Sequence, residues 1–471
     1  MQIYPHMLTN YNRSIKYLII FIAAIPVSLL LLRPLVASSD KYLFIAIILT
    51  VSLLVLWKPK KLFLFSVGGA ILFYHPFLQG TLFYLGDAKV YAQDLVLVAL
   101  TIYLVAQIIC KKRSQILKMT STKFFVLFFL WGLLSIVRGY PRYGFSAIGE
   151  SRWYVLIIIY YFFILFSFQD KKDVTWFLKW ITFFIPVMII EHFVLFFFFG
   201  GNIGEAGRIA FRFINATETL LVAFLLIFLF LFYLNRRTRI SNWWFYSIFF
   251  VLLSIIIVVQ TRSVWLATAG GLFAAIILIK KKSVRWLLPI VLTIFLLFIF
   301  APFISQFVGE NISKNLEKSA IFLKSPGEDP TAAWRLDAWQ QEFQKSKENP
   351  IIGEGLGGYS EWFDGQNWLR VMVHNGYIMV FSKFGIVGNL LLFGGIFFWY
   401  KEMNQYVKNE KDPYYKFTGI GLQVGVFMHL IYTTFYDFTM FFWILLSLGS
   451  VLFPPNGNHY WGYLKNRRAN N

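Results

Sequence analysis

Apolar runs of about the length that crosses a bilayer as helix, roughly 20 residues, recur along almost the whole chain. They fall at about 17 to 32, 42 to 57, 62 to 80, 91 to 110, 122 to 138, 153 to 169, 174 to 200, 213 to 234, 242 to 260, 264 to 279, 285 to 304, 376 to 399, 415 to 434 and 438 to 453. The pattern predicts an all-α, polytopic transmembrane bundle of about 12 to 14 spans. One polar island, from about Ser305 to His374, interrupts it. The chain therefore divides into an N-terminal transmembrane bundle over 1–304, a large loop over 305–375, and C-terminal transmembrane helices with a tail over 376–471. Inside the island, Pro330-Thr331 reads as a helix start, and Leu336, Trp339 and Phe343 recur at helical spacing up to the Asn349-Pro350 stop. That segment is expected to be an amphipathic helix lying on the membrane or over a cavity.

Composition supports this class: 58% of the 471 residues are hydrophobic and only 14% are charged, too little polar surface to coat a soluble globule. The net charge of +21 would ordinarily raise nucleic acid as a partner, but its distribution follows topology. Lys58, Lys60 and Lys61, then Lys111, Lys112 and Arg113, Lys171 and Lys172, Arg236, Arg237 and Arg239, Lys280 to Lys282, Lys401, Lys408 and Lys411, and Lys465, Arg467 and Arg468 occupy alternate loops. Cations collect in cytoplasmic loops, so both termini are expected in the cytoplasm and the island outside it. The excess charge then meets anionic lipid headgroups, not nucleic acid. A single cysteine, Cys110, excludes an internal disulfide framework. The first apolar run lacks a small-residue cleavage site after it and reads as a retained helix.

The cations on the opposite face are few and mostly arginine: Arg138, Arg142, Arg152, Arg208, Arg212, Arg262, Arg335 and Arg370. A guanidinium presents a planar fork of donors that grips phosphate in bidentate fashion, so several converging arginines point to a diphosphate. An arginine at a helix end also commonly anchors to headgroups, which suits Arg138 and Arg142. Arg152, Arg208, Arg212 and Arg262 each sit near the first turn of a following span, where helix ends favour anions. His374 closes the island at the water boundary, where an imidazole can take a proton from a hydroxyl. Glu191, inside an apolar span beside His192, is a further candidate because buried ionisable groups are functional by default. The Gly353-Glu354-Gly355-Leu356-Gly357-Gly358 run satisfies a dinucleotide-type glycine pattern. It lacks the strand-turn-helix setting of that fold and reads as a tight turn. No histidines stand at metal-ligand spacing, so neither a metal nor another cofactor is expected.

Arg335-Leu336-Asp337-Ala338-Trp339, Asn349-Pro350-Ile351-Ile352-Gly353-Glu354-Gly355 and His374-Asn375-Gly376-Tyr377, with Phe384 to Gly388 after them, together resemble the O-antigen ligase and polymerase family. Glu150-Ser151-Arg152 and Thr261-Arg262-Ser263 are similar to that family's weaker signatures, and the resemblance covers roughly Arg208 to Gly388. It implies a GT-C-type glycosyltransferase in the bacterial cytoplasmic membrane, working on the outer face in surface polysaccharide or lipopolysaccharide biosynthesis. The donor would be an undecaprenyl-diphosphate-linked glycan and the acceptor lipid A core or another glycan. Within this frame Arg208, Arg212, Arg262 and Arg152 would bind diphosphate, Arg335 would complete the clamp, and His374 would activate the acceptor hydroxyl, with Asn375 and Glu191 as further candidates. A polymerase joining lipid-linked repeat units uses the same donor and is the alternative. A transporter would instead place charge near the midplane on broken helices.

Overall fold

A computed structural model describes residues 58–72, 81–85, 88–110, 119–199, 214–234, 241–259, 261–279, 330–363, 368–371 and 373–453. In chain order the helices are α1 Pro59–Leu72, α2 Ala92–Cys110, α3 Thr120–Tyr143, α4 Phe145–Tyr154, α5 Ile159–Ser167, α6 Lys171–Phe199, α7 Ala216–Leu234, α8 Asn242–Val258, α9 Arg262–Ile279, α10 Pro330–Ser346, α11 Gly376–Asn409, α12 Pro413–Thr433 and α13 Met440–Leu452. Two antiparallel hairpins accompany them: β1 Thr81–Leu85 with β2 Ala88–Tyr91, and β3 Ser360–Phe363 with β4 Trp368–Val371. The chain is a helical polytopic membrane protein. Among the described residues, six helical segments are long and apolar enough to cross a membrane: 92–109, 120–143, 145–167, 171–194, 216–234 and 376–409. The expected spans at 17–32, 42–57 and 285–304 lie outside the described residues. The segment expected as one span near 153–169 is broken, with α4 and α5 joined through the 3-10 turn Leu156–Ile158.

Helix ends are set by local chemistry. Asp412 Oδ1 accepts from Tyr414 N at 2.9 Å and Pro413 takes the first helical position of α12, a pairing suited to a helix start. At α7, Asn215 Oδ1 accepts from Glu218 N and Glu218 Oε2 accepts from Asn215 N, both at 3.0 Å, a reciprocal cap. The first turn of α3 is capped from afar: Glu402 Oε1, on α11, accepts from Thr120 N at 2.9 Å. This contact places the start of α3 beside the end of α11, so the two helices run antiparallel, and α11 packs more extensively on α3 than on any other described element.

The core is aromatic. Phe125, Tyr161 and Trp443 meet edge to face, and Tyr161 shares its hydroxyl with Thr122 at 2.9 Å and Ser450 at 3.2 Å. Lipid supplies no hydrophobic drive between helices, so close backbone approach and internal hydrogen bonds hold a bundle together. Gly421 and Gly425 of α12 supply that approach, lying flat against Phe228 and Phe224 of α7.

Candidate functional site

His374 and Arg335 are brought together by two different elements. His374 follows β4 and precedes α11, with φ +47°; among the described residues no other non-glycine has positive φ. A left-handed backbone costs energy for any residue with a Cβ, and such strain concentrates at functional positions. Asn375 holds the strained residue in place: its Oδ1 caps α11 by accepting from Tyr377 N and Ile378 N, each at 3.1 Å. Arg335 lies in the second turn of α10. Trp339, one turn on, donates its indole N–H to Val373 O at 2.8 Å, which ties α10 to the residue before His374.

Tyr436, after α12, is the common floor. The Arg335 guanidinium lies 5.6 Å from its ring centroid and the His374 ring 5.9 Å. Tyr432 stacks beneath it at 4.6 Å, and Tyr432 shares a hydrogen bond of 3.0 Å with Thr217 at the start of α7. Burial, together with the neighbouring Arg335 charge, holds the His374 imidazole down at about 4, well below its ordinary value. Near neutral pH the ring is therefore uncharged and able to accept a proton. Nearby, loss of solvation pushes half-buried Asp437 up to about 6, an effect that the 2.9 Å hydrogen bond from the Tyr154 hydroxyl offsets in part.

The other expected site residues are placed differently. Arg152 is buried and engaged by the protein itself. It donates to Lys89 O at 2.7 Å, lies 3.3 Å from Asp94 Oδ2, and stacks over Tyr91 at 4.4 Å. Arg262 opens α9. Arg208 and Arg212 lie outside the described residues. Glu191 sits 3.8 Å from His192 Nδ1, while His192 Nε2 faces buried Glu218 at 3.4 Å. His192 Nδ1 also lies 3.0 Å from Met188 O. A carbonyl only accepts, so that nitrogen carries a proton. Among the described residues, no group of three or more His, Cys, Asp or Glu is arranged to hold a metal ion.

A second polar centre draws on residues whose role the sequence motifs do not reveal. Lys383, just before a break in α11 at Gly385 (φ +66°), is fully buried and pairs with Glu354. Its ammonium also lies 3.4 Å from Glu342 of α10 and 3.9 Å from Glu150 of α4, and donates to Gly358 O at 2.6 Å. Glu150 in turn accepts from Gly357 N, and Ser382 donates to Glu342 at 2.8 Å. The glycine run thus has a packing purpose. Gly353, Gly355 and Gly357 have φ of +77°, +89° and +106°, and a Cβ at Gly355 would sit 2.9 Å from Gly139 N. The run is threaded between α3 and the break in α11, and the Lys383 centre locks the helix carrying Arg335 to the helix that begins after His374. Its carboxylates are too far apart in sequence to give a periodic signal, so their meeting on Lys383 is not legible there; the pairing of Asp94 with Arg152 is equally silent.

A helical bundle that gathers a strained histidine, an arginine and an aromatic floor defines a membrane protein with a polar candidate site. Residues 247–393, which contain Arg262, Arg335 and His374, match the family model described as O-antigen ligase. No curated protein shows a significant match to the chain.

Proposed function

We propose that the protein is a glycosyltransferase of the O-antigen ligase type, moving a glycan from undecaprenyl diphosphate to a hydroxyl of lipid A core or a similar acceptor. The observation that carries this reading is the convergence of Arg335 and neutral His374 on Tyr436. The acceptor oxygen attacks the anomeric carbon while the bond from that carbon to the diphosphate breaks, with inversion. The departing electron pair stays on the diphosphate, where Arg335, with Arg262, Arg208 and Arg212, offsets the charge. His374 takes the hydroxyl proton and returns it to solvent. Burial is the larger cause of the depressed imidazole and the Arg335 charge the smaller; a diphosphate beside Arg335 offsets the second and so raises the basicity of His374 in part. Arg152 is assigned to holding the outer hairpin against α4, since Asp94 and Lys89 already engage it. The active face is placed outside the cytoplasm on charge distribution alone.

The test incubates purified protein with lipid-linked glycan and either lipid A core or a second lipid-linked unit. Glycosylated lipid A core is the expected product; glycan chains lengthened on the carrier would shift the reading to a polymerase, and no product with either acceptor would remove it. Transfer is expected to persist in EDTA, because arginine charge replaces a divalent ion in this scheme.

A further inference from the structure

The turn after α10 does not stand clear of the bundle. Ile386 N donates to Pro350 O at 2.9 Å, Val387 N to Ile351 O at 3.2 Å and Leu356 N to Ser135 O at 3.1 Å. These contacts fix the height of the turn along α3. At 1.5 Å per residue, Ser135 lies about 22 Å and Gly139 about 28 Å above Thr120. A hydrocarbon layer is about 30 Å thick; with the first turn of α3 at its lower boundary, the turn is level with its upper part. The side chains agree. Leu127, Leu134, Val137 and Tyr140 stay exposed up α3, as do Ile386, Leu390 and Phe397 along α11. Ile351 and Ile352, exposed by 63% and 41%, extend the same apolar strip.

Irregular backbone at that depth must find donors for its carbonyls within the protein. Arg138 provides them. Its Nη2 donates to Ile352 O and, at 2.9 Å, to Ser135 Oγ, its Nη1 to Gly353 O at 3.5 Å, and its guanidinium lies 5.5 Å from the Trp131 ring. An arginine free to reach headgroups would instead point to water.

We propose that Pro350 to Gly358 is a re-entrant element of the membrane domain. Ile351 and Ile352 contact the acyl chains of surrounding lipid, and Arg138 is the clamp that satisfies the turn's carbonyls at that depth. The segment read from sequence as the far half of an aqueous loop is, on this view, lipid-contacting surface. Nothing in this inference depends on the transferase reading.

The test uses the unaltered protein in liposomes containing a phospholipid with a photoreactive diazirine near the end of one acyl chain. After irradiation, mass spectrometry is expected to find lipid adducts on the peptide holding Ile351 and Ile352, as on the peptide holding Leu390. Adducts at Leu390 with none at Ile351 or Ile352 overturn the proposal. A second arm places nitroxides at Ile351→Cys, Leu390→Cys and Glu348→Cys in a Cys110→Ser background and compares collision with oxygen and with a water-soluble nickel chelate. The Ile351 label is expected to follow Leu390, favouring oxygen several-fold over the chelate. A label that follows Glu348, or one shielded from both reagents, overturns it.

Discussion

At the residue scale, His374 concentrates both strain and chemistry. Asn tolerates left-handed backbone better than β-branched residues do, so His374→Asn is expected to keep the fold and lose at least about 100-fold in transfer rate, within the usual range for removing a general base. His374→Val is expected to lower thermal stability as well, by about 1 to 3 kcal/mol. Unchanged melting together with unchanged transfer in His374→Asn would remove the base assignment. The pH dependence follows from the depressed imidazole. In the unfolded chain the ring titrates near 6.5 and in the folded protein at about 4, so its stabilising contribution is complete above 6.5 and is lost as pH falls through 4. For the same reason, the acid limb of kcat/KM, which reports the free enzyme, is expected near pH 4 and not near 6.5. The position of His374 was visible in sequence because it ends the polar island at a helix start. Its aromatic floor was not: Tyr436 lies 62 residues away in an unremarkable run of aromatics, and only the fold brings it beneath the ring.

At the element scale, the apolar runs and the Pro330 start located α10 and the spans because burial in lipid imposes length and periodicity directly on sequence. The break in α11 was not legible, since Gly385 sits inside an apolar run that reads as continuous helix. Neither was the purpose of the glycine run, whose positive φ angles answer to the backbone of α3 and α11. Gly355→Ala, with φ +89° and a Cβ 2.9 Å from Gly139 N, is expected to destabilise the protein by more than about 1 kcal/mol. Lys383→Met strands buried Glu342 and Glu354 without their common cation and is expected to cost about 3 to 5 kcal/mol. Thermal unfolding in detergent measures both. A Lys383→Met protein as stable as the original would show that the carboxylates hold together by sharing protons alone.

At the scale of the whole molecule, the segment that matches the family is not a separable unit. α11 lies on α3, α9 lies on α12, and Lys383 draws on Glu150, so the partners of 247–393 fall on both sides of it in sequence. Expressed alone, 247–393 is expected to aggregate in detergent, whereas the full chain elutes as a discrete species in size-exclusion chromatography. A monodisperse, helical fragment would contradict this. Helices from both sides of the polar island interlock into one aromatic core.

The Lys383 centre also has a consequence for how the protein is made. Glu150 is synthesised with α4, yet the backbone amide that it binds, Gly357 N, follows 207 residues later, and Lys383 later still. A nascent chain must therefore carry an acidic side chain into or beside the bilayer long before its partners exist. Until Gly357 and Lys383 arrive, that carboxyl has neither the backbone donor nor the cation that hold it in the folded protein. The Lys383 centre therefore closes only when the last helices dock, and truncations upstream of Lys383 are expected to be degraded faster in cells than the full chain.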